Sequence, residues 1–506
     1  MNTTNSKGWS AVTNRFGIGS LLIAVSCFLL PVAPQQASAQ MSAEELRREQ
    51  IETIEALKAT ENVSGGSSTL FGSLGRRTGW LFSYGAAFST QYVSNDNKSD
   101  QSHSTKDAQD HAYDYELKPY VNVSSGDRKS KFYIRGTSKY TETNKTSGSI
   151  RGNNFIQPTV DMAYWEKEFA GNTEDVKKKL TIGRQFLQVG RGIAFALTAD
   201  GFLYDVTGLA KRKGEWKVFA IRQNPTDDMV DLSTSTPGST KRYFYGFRGK
   251  YQVHPMAKMS LYTVRTNDRN KNTSATSALQ KHGFEPEYYG VVSEGKITSK
   301  LNYWGEFIYE RGRTYDSATT AGSKQVNIRA NAVVAGLRYY FPGDRKPTIF
   351  GEYISATGDP DALGSSNSSL GGSAPGTNDS RFNPFGGVSL GFALSPTMTN
   401  MKVYKAGASI KPFALSPNRL IQDLMLQPEY YVFRRRTGSL GAAGNDSVIP
   451  TTPTSDKIGD ELDFSLSWRL MSYVTYQLKY GHFKPGNAYA TQSAETYWKF
   501  KISLDL

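Results

Sequence analysis

The feature that most constrains the fold of this chain is a strict alternation of apolar and polar side chains in segments of about ten residues. It is clearest at the C-terminus, where Trp498, Phe500, Ile502 and Leu504 alternate with charged or polar residues. Because successive side chains of a β-strand point to opposite faces, such a segment lies between two different environments. A soluble β-sandwich gives the same alternation, so the number of strands and their connections must decide between the two folds.

The alternating unit recurs about eighteen times from residue 79 to the end. Short connections such as 124–128 and 342–346 alternate with long polar ones such as 95–110 and 358–400. An even strand number, short periplasmic turns and long external loops are typical of bacterial outer-membrane barrels. We therefore predict an all-β fold, a transmembrane antiparallel β-barrel of about 18 strands in the bacterial outer membrane. The strands are predicted near 79–93, 111–123, 129–144, 156–169, 178–188, 200–211, 214–224, 241–252, 257–267, 283–295, 298–313, 326–341, 346–358, 400–413, 424–437, 459–470, 472–483 and 495–506.

The N-terminus has the order of parts of a secretory signal peptide. Lys7 and Arg15 precede the apolar run 16–30, and a small-residue cleavage site, 37–39, follows. We predict a signal peptide over 1–39, a short periplasmic helix and Ser/Gly linker over 40–78, and the barrel over 79–506. The one cysteine, Cys27, lies in the signal, which suits a chain that crosses an oxidising compartment without disulfides.

The composition limits the partners. Mean hydropathy is −0.49, and beyond the signal no segment approaches the length of a spanning apolar helix. The net charge of +14 falls to +12 when the two basic residues of the signal are removed, an excess suited to an anionic partner. Nucleic acid is not expected, because the chain is exported and has no nucleic-acid motif. The expected partners are outer-membrane lipid and lipopolysaccharide, the barrel-assembly machinery, and an anionic polysaccharide or small anions.

Catalytic motifs are not expected to operate in this chain. The five histidines are scattered, and the segment 387–391 matches a nucleophile elbow without the strand and helix that such an elbow needs. We therefore predict no enzyme activity and no cofactor. A Ca²⁺ ion held by Asp359, Asp361 and Asp379 is an alternative to simple solvation of these acids.

In each predicted strand, the residues that alternate with the lipid-facing apolar residues point into the lumen. The charged residues at these positions are candidates for the pore lining. The basic candidates are Lys118, Arg135, Arg242, Arg248, Lys250, Arg338, Arg435, Arg469, Lys479, Lys499 and Lys501. The acidic candidates include Glu352, Glu429, Glu461 and Asp463. One interpretation is that these charges pair across strands. The other is that a basic belt near mid-height concentrates anions, as a charged ring in a low-dielectric wall does.

Several short motifs, in order, resemble those of the alginate export porins. They lie at Thr181–Gln185, Gly351–Tyr353, Ala356–Asp361, Phe382–Phe385, Gly459–Asp463 and Tyr480–Gly486. The resemblance implies an eighteen-stranded channel for an anionic polysaccharide, with Arg184 in the pore lining. If the strand alternates strictly, Arg184 faces lipid. A place in the pore lining therefore requires a β-bulge at Gly183. The family also usually has serine where this chain has Thr357.

The resulting hypothesis is a passive, anion-selective outer-membrane channel that exports or conducts an alginate-like polysaccharide. A general or small-anion diffusion porin, trimeric through residues 41–62, is the alternative. A third is a structural or adhesive barrel whose long loops bind partners.

Overall fold

A computed structural model describes most of the chain beyond residue 79. The described residues are 80–96, 110–145, 150–171, 173, 175–223, 242–269, 284–315, 324–361, 376–437, 455–489 and 493–505. The predicted signal peptide and the predicted helix over 40–78 lie outside them. No helix among these residues is long and apolar enough to cross a membrane.

The described residues form eighteen antiparallel strands in one closed sheet, which confirms the predicted fold class. Each strand pairs with its neighbours in sequence, and the barrel closes where Ala87–Asp96 of the first strand pair with Thr496–Asp505 of the last. The strands are β1 (Trp80–Asp96), β2 (Asp110–Ser125), β3 (Ser130–Lys145), β4 (Ile150–Ala170), β5 (Lys177–Gln188), β6 (Ala196–Gly208), β7 (Gly214–Gln223), β8 (Arg242–His254), β9 (Ala257–Asp268), β10 (Glu285–Lys296), β11 (Leu301–Tyr315), β12 (Gln325–Tyr340), β13 (Thr348–Ala356), β14 (Met401–Ser409), β15 (Met425–Arg435), β16 (Lys457–Met471), β17 (Val474–Pro485) and β18 (Glu495–Asp505).

The connections differ between the two ends of the barrel. One end has short turns, such as 126–129, 255–256 and 472–473, and includes a single helical turn, α1 (Leu209–Arg212). The 410–424 connection is longer than the other turns at this end, and a Lys411–Asp423 ion pair of 2.7 Å ties it together. The other end has the longer connections, including 224–241 and 357–400. Because outer-membrane barrels keep their short turns in the periplasm, the long connections mark the extracellular end.

The two faces of the strands differ as the alternation predicts. Large apolar side chains are exposed on the outer face, for example Phe132, Leu261, Phe307, Leu337 and Leu462. These positions would be unfavourable in water, and they suit the hydrocarbon of a bilayer. Residues of the other parity point into the barrel and are mostly buried or half-buried.

The interior is not uniformly polar. A cluster of buried apolar residues fills part of its extracellular half. It contains inward-facing residues of β5–β18, most of them on β6–β12, together with residues of the 189–195 and 357–400 connections. Within the described residues, β2–β4 contribute nothing to this cluster. We call the inward faces of β6–β12 the packed side and those of β1–β4 the polar wall.

Candidate functional site

The second half of the 357–400 connection runs inside the barrel. Residues 376–400, the inner loop, form two parallel bridges with the wall. Phe385 pairs with Phe195, directly before β6, and Asp379 pairs with Ile328 of β12. The Phe385 amide donates to the Ala194 carbonyl over 2.9 Å, and the Asp379 amide donates to the Asn327 carbonyl over 2.9 Å. A long connection between two strands is thus held against the wall by backbone hydrogen bonds.

Phe385 lies at the centre of the apolar contacts of the inner loop. Its ring centroid is 4.8 Å from that of Phe244, 5.9 Å from that of Phe284 and 6.2 Å from that of Tyr288. Full burial of one such side chain contributes on the order of 1.5–3 kcal/mol. The inner loop therefore acts as a piece of hydrophobic core inside the barrel.

Glu461 of β16 fastens the inner loop on the other side of the lumen. Its carboxylate accepts hydrogen bonds from three successive amides, those of Phe392, Ala393 and Leu394, over 2.6, 2.7 and 3.0 Å. The amides converge because Gly391, with φ +85°, reverses the chain just before them. A Cβ at Gly391 would lie 2.6 Å from a Glu461 carboxylate oxygen, so only glycine fits there.

Two glutamates of β11 hold the loops on the packed side. Glu310, which is fully buried, accepts from the Asn383 amide over 3.0 Å. Glu306 accepts from the Tyr262 hydroxyl over 2.6 Å and from the Arg191 amide, in the 189–195 connection, over 3.1 Å. Glu306, Glu310 and Glu461 therefore position loops and do not line open space.

The remaining predicted acidic residues also have structural partners or are buried. Glu352 accepts from the Trp304 indole over 2.7 Å and lies 3.8 Å from Arg191. Glu429 forms a 3.2 Å ion pair with Lys405 and accepts from the Tyr431 hydroxyl over 2.6 Å. Asp463, two residues from Glu461, faces inward and is fully buried.

Five inward-facing lysines lie together where β17 and β18 meet the polar wall. Lys479 and Lys499 stand directly opposite each other on neighbouring strands, and Lys501 occupies the next inward position of β18. Lys118 pairs with Glu116 over 2.7 Å, and Lys139 with Asp114 over 3.4 Å. We call the five lysines Lys118, Lys139, Lys479, Lys499 and Lys501 the lysine patch. Two carboxylates, Asp114 and Glu116, also face inward beside the five lysines.

Other predicted basic residues form ion pairs with carboxylates of neighbouring strands, either the next strand or the one after it. Arg135 donates to Asp161 over 2.7 Å. Further along the wall, carboxylates and bases of β4–β10 make up an alternating ladder, with the pairs Glu166–Lys179, Asp205–Lys217, Glu215–Arg248 and Glu294–Lys250 at 3.2–3.5 Å. Opposite charges paired across strands stabilise a sheet, and they leave little net field in the lumen.

The last inward-facing candidates differ in exposure. Arg242 and Arg435 are buried, and Arg242 pairs with Asp268 over 3.2 Å, so neither lines open space. The Arg338 guanidinium lies 4.9 Å from the Phe350 ring centroid and 5.9 Å from that of Trp304. Arg469 is exposed near the periplasmic end of β16.

Arg184 does not face the lumen, which corrects the role implied by the resemblance. Its neighbours of the same parity, Ile182 on β5 and Phe202 on β6, are exposed on the outer face. Gly183 has a φ of +124°, but the strand register continues through it without a bulge. Arg184 instead donates two hydrogen bonds to Asp200, over 2.8 and 2.9 Å, on the outside of the barrel.

The acids that suggested a calcium site have protein partners. Asp379 accepts two hydrogen bonds from the Arg381 guanidinium over 3.1 Å, and a hydrogen bond with Asp359 lowers the pKa of Asp361. Within the described residues no group of three or more histidine, cysteine, aspartate or glutamate side chains is placed to hold a metal ion.

Sequence reasoning missed several inward-facing bases. Lys139 and Lys405 have the same inward parity as their cross-strand partners Glu116 and Glu352, so a register assignment would have found them. Arg191 had no such signal, because it lies in the 189–195 connection and reaches Trp304, with its guanidinium 5.2 Å from the ring centroid.

Comparisons with known proteins agree with this architecture. The structure resembles that of OpdQ from Pseudomonas aeruginosa, with a TM-score of 0.50 and 11% identity over 84% of this chain and 97% of that one. It is similar to the outer membrane protein OprD of the same organism, with a TM-score of 0.50 and 11% identity over 84% and 94%. At such low identity these structures speak for the fold alone.

A comparison with curated proteins finds no significant match. The sequence profile described as Alginate export, however, matches residues 84–499, from β1 into β18. The match covers most of the chain and nearly the whole barrel. This bacterial outer-membrane channel protein therefore belongs to the alginate export family.

Proposed function

We propose that this protein is a passive, anion-selective channel that exports or conducts an alginate-like polysaccharide, or a similar anion, and has no enzyme activity. The observation that carries the proposal is the lysine patch. Lys479 and Lys499 face each other across a strand pair, with Lys501 beside them. Like charges directly opposite each other destabilise a sheet, so folding alone does not account for them. A negatively charged solute in the lumen accounts for these lysines.

The distribution of the carboxylates supports the same proposal. Glu306, Glu310 and Glu461 are buried against loops, where they accept hydrogen bonds from amides and a hydroxyl. The bases of the lysine patch lie away from the packed side. Lys118, Lys479 and Lys501 are half-buried, whereas Lys139 and Lys499 are buried behind them. Charges in a low-dielectric wall raise the local concentration of oppositely charged solutes.

A second group of bases offers a further contact for carboxylated sugars. Arg191 and Arg338 both lie against the Trp304 ring, and Arg191 keeps about a third of its side chain exposed (34%). An arginine can donate two parallel hydrogen bonds to a carboxylate. Several weak sites in series would let a polymer advance without being trapped.

One observation favours the alternative, a small-anion diffusion porin. The inner loop occupies part of the lumen and is fastened on both sides, by Glu310 and by Glu461. A narrowed lumen favours small solutes over a polymer chain. The two functions share the anion preference and differ in whether a polymer enters.

Planar-bilayer recordings test the proposal. Under a salt gradient, the wild-type reversal potential should show anion selectivity. The double variant Lys479→Gln/Lys501→Gln should move it towards cation selectivity, with a smaller shift at high salt because screening shortens the reach of the charges. The matched control is Lys402→Gln/Lys484→Gln, which removes two lysines from the outer face of β14 and β17 and should change little.

Oligouronates then separate the two candidate functions. They should block the wild-type current more strongly than a neutral glucan of equal length, and the block should weaken in the lysine double variant. Anion selectivity without any block would favour the small-anion porin. Cation selectivity of the wild type would contradict both.

A further inference from the structure

The outer face of the barrel carries a band of arginines near the extracellular end. Six outward-facing arginines lie on four strands or directly beyond one of them: Arg222 on β7, Arg265 on β9 with Arg269 just after it, Arg311 and Arg313 on β11, and Arg329 on β12. All six are exposed. We call them the arginine belt. The proposed conduction of anions does not involve the arginine belt, because the belt faces away from the lumen.

The strand register makes the belt continuous. Arg265 stands opposite Glu287, Glu287 opposite Arg311, and Arg311 opposite Arg329. At the usual strand spacing of about 4.8 Å, this row extends roughly 14 Å around the barrel. Arg313 lies one outward position higher on β11, opposite Glu285 and Asn327.

The belt has more positive charge than its neighbours neutralise. Two carboxylates, Glu285 and Glu287, share the outward face of β7–β12, and Glu287 is bound by both Arg265 and Arg311 over 3.3 and 3.0 Å. A third, Asp200 of β6, stands opposite Arg222 and is hydrogen-bonded to Arg184 outside the belt. Within the described part of the chain, Arg222, Arg313 and Arg329 form no ion pair, while Arg269 lies over the Tyr243 ring at 5.1 Å. A dense array of guanidinium groups with this surplus is suited to phosphate, which accepts paired hydrogen bonds from arginine.

The depth of the belt indicates which phosphate it meets. Tyr245 stands opposite Arg265 within the belt, and directly below, towards the periplasm, lie the exposed rings Tyr289 and Tyr309. The exposed apolar side chains of Leu261 and Phe307 follow. Aromatic girdles mark the boundary between hydrocarbon and headgroups in outer-membrane barrels. The arginines thus stand at the height of the headgroups of the outer leaflet, on the face that touches lipid.

The rim on the other side of the barrel is different. There Arg434 lies 3.9 Å from Asp456, and Lys457 pairs with Asp460 over 2.8 Å. That rim carries two carboxylates, Asp456 and Asp460, among its bases, and most of those bases are lysines. The surplus of arginine is confined to β7–β12.

We infer that the arginine belt is a binding site for the phosphorylated headgroup of an outer-leaflet glycolipid of the lipid A type. The guanidinium groups of Arg311, Arg313 and Arg329 bind the headgroup phosphates, and the aromatic and apolar residues beneath them contact the acyl chains. The site fixes the lipid on the packed side of the barrel.

Lipid binding to the purified full-length protein in detergent tests the inference. Diphosphorylated lipid A should bind the wild type at least about tenfold more tightly than chemically dephosphorylated lipid A, because each charge-assisted hydrogen bond to phosphate is strong. The variant Arg311→Gln/Arg313→Gln/Arg329→Gln should lose that preference. The matched control, Lys402→Gln/Arg434→Gln/Lys484→Gln, removes three bases from the outer face of the other rim and should bind within about twofold of wild type.

Further arms decide what the belt recognises. Inorganic phosphate alone should not displace the lipid at millimolar concentration, whereas displacement would assign the belt to free phosphate. Displacement by a soluble oligouronate would assign the belt to polysaccharide. Equal affinity for the two lipids, or an equal loss of affinity in the control variant, would overturn the inference.

If the triple variant does not fold, Arg313→Gln/Arg329→Gln replaces it, since neither arginine takes part in an ion pair within the described residues. The reversal potential of the belt variants should match that of wild type, so this test is independent of the proposed function.

Discussion

The packed side and the polar wall are built from strands with the same alternation, yet their inward faces differ in the extracellular half of the barrel. On β12 the inward residues Val326, Ile328 and Val334 are buried in a hydrophobic core. On β3 the inward residues include Arg135 and Lys139, which pair with carboxylates of the adjacent strands. The character of an inward face therefore depends on what lies against it. Where the inner loop covers the wall the face is apolar, and where the lumen borders it the face is charged.

The largest effect is expected from removing the inner loop. Replacing residues 378–398 by a short Gly/Ser linker should raise single-channel conductance several-fold and weaken ion selectivity, because a wider lumen holds its solutes further from the lysine patch. Excision of residues 363–374, outside the described part of the same connection, is the control. Equal increases in both variants would show that the inner loop is not the constriction.

A smaller change should loosen the inner loop without removing it. Glu461→Ala leaves three buried amides without their acceptor, which should cost about 3–5 kcal/mol of stability. Glu461→Gln keeps one carbonyl acceptor and should cost about half as much. Denaturant unfolding of the reconstituted barrel measures the loss, and current noise should rise in the same order. An unchanged Glu461→Ala barrel would contradict the anchoring role.

Gly391 and Gly376 provide a matched pair for the turn before the anchor. Both have a left-handed backbone, with φ values of +85° and +83°, but a Cβ would strike Glu461 at Gly391 and nothing within 4 Å at Gly376. Gly376→Ala should therefore cost about 1 kcal/mol and Gly391→Ala about 1–3 kcal/mol more. Equal losses of unfolding free energy would mean that the Glu461 contact is not tight.

The smallest effect is expected in the alternating ladder. Arg248→Gln removes a half-buried charge whose carboxylate partner, Glu215, also stands opposite Lys250. Stability should change by less than about 1 kcal/mol, as for other partly exposed ion pairs. The reversal potential should shift less than in a Lys501→Gln variant. A larger shift for Arg248→Gln would place the selective charges in the ladder and not in the lysine patch.

Much of the fold could be predicted from the sequence. Period-two alternation placed a strand in each of the eighteen observed positions, because a strand between lipid and a polar lumen repeats a pattern that turns interrupt visibly. Parity also placed Lys118, Lys479, Lys499 and Lys501 on the inward face.

The rest of the site depends on contacts that are distant in sequence. Parity alone cannot distinguish Arg242, buried under Phe385, from Arg248, which keeps part of its surface open. It cannot assign Glu461 to three loop amides, since those amides lie about seventy residues away in a segment without alternation. For Arg184, strict alternation correctly predicted an outward-facing side chain, whereas the short motif implied the pore lining. The preceding glycine adopts a positive φ without shifting the register of the strand.

The position of the seam between β1 and β18 has a consequence for the order of assembly. The seam joins the two strands that are furthest apart in the chain, and β1 touches the hydrophobic core through Val93 alone, while β2–β4, in their described residues, do not touch it. A curved sheet of β5–β18 already contains every strand that contributes a buried residue to that core. The inner loop can thus enter sideways and dock before the cylinder is complete. The final step would then pair ten residues of β1 with ten of β18, and it would require no repacking of the hydrophobic core.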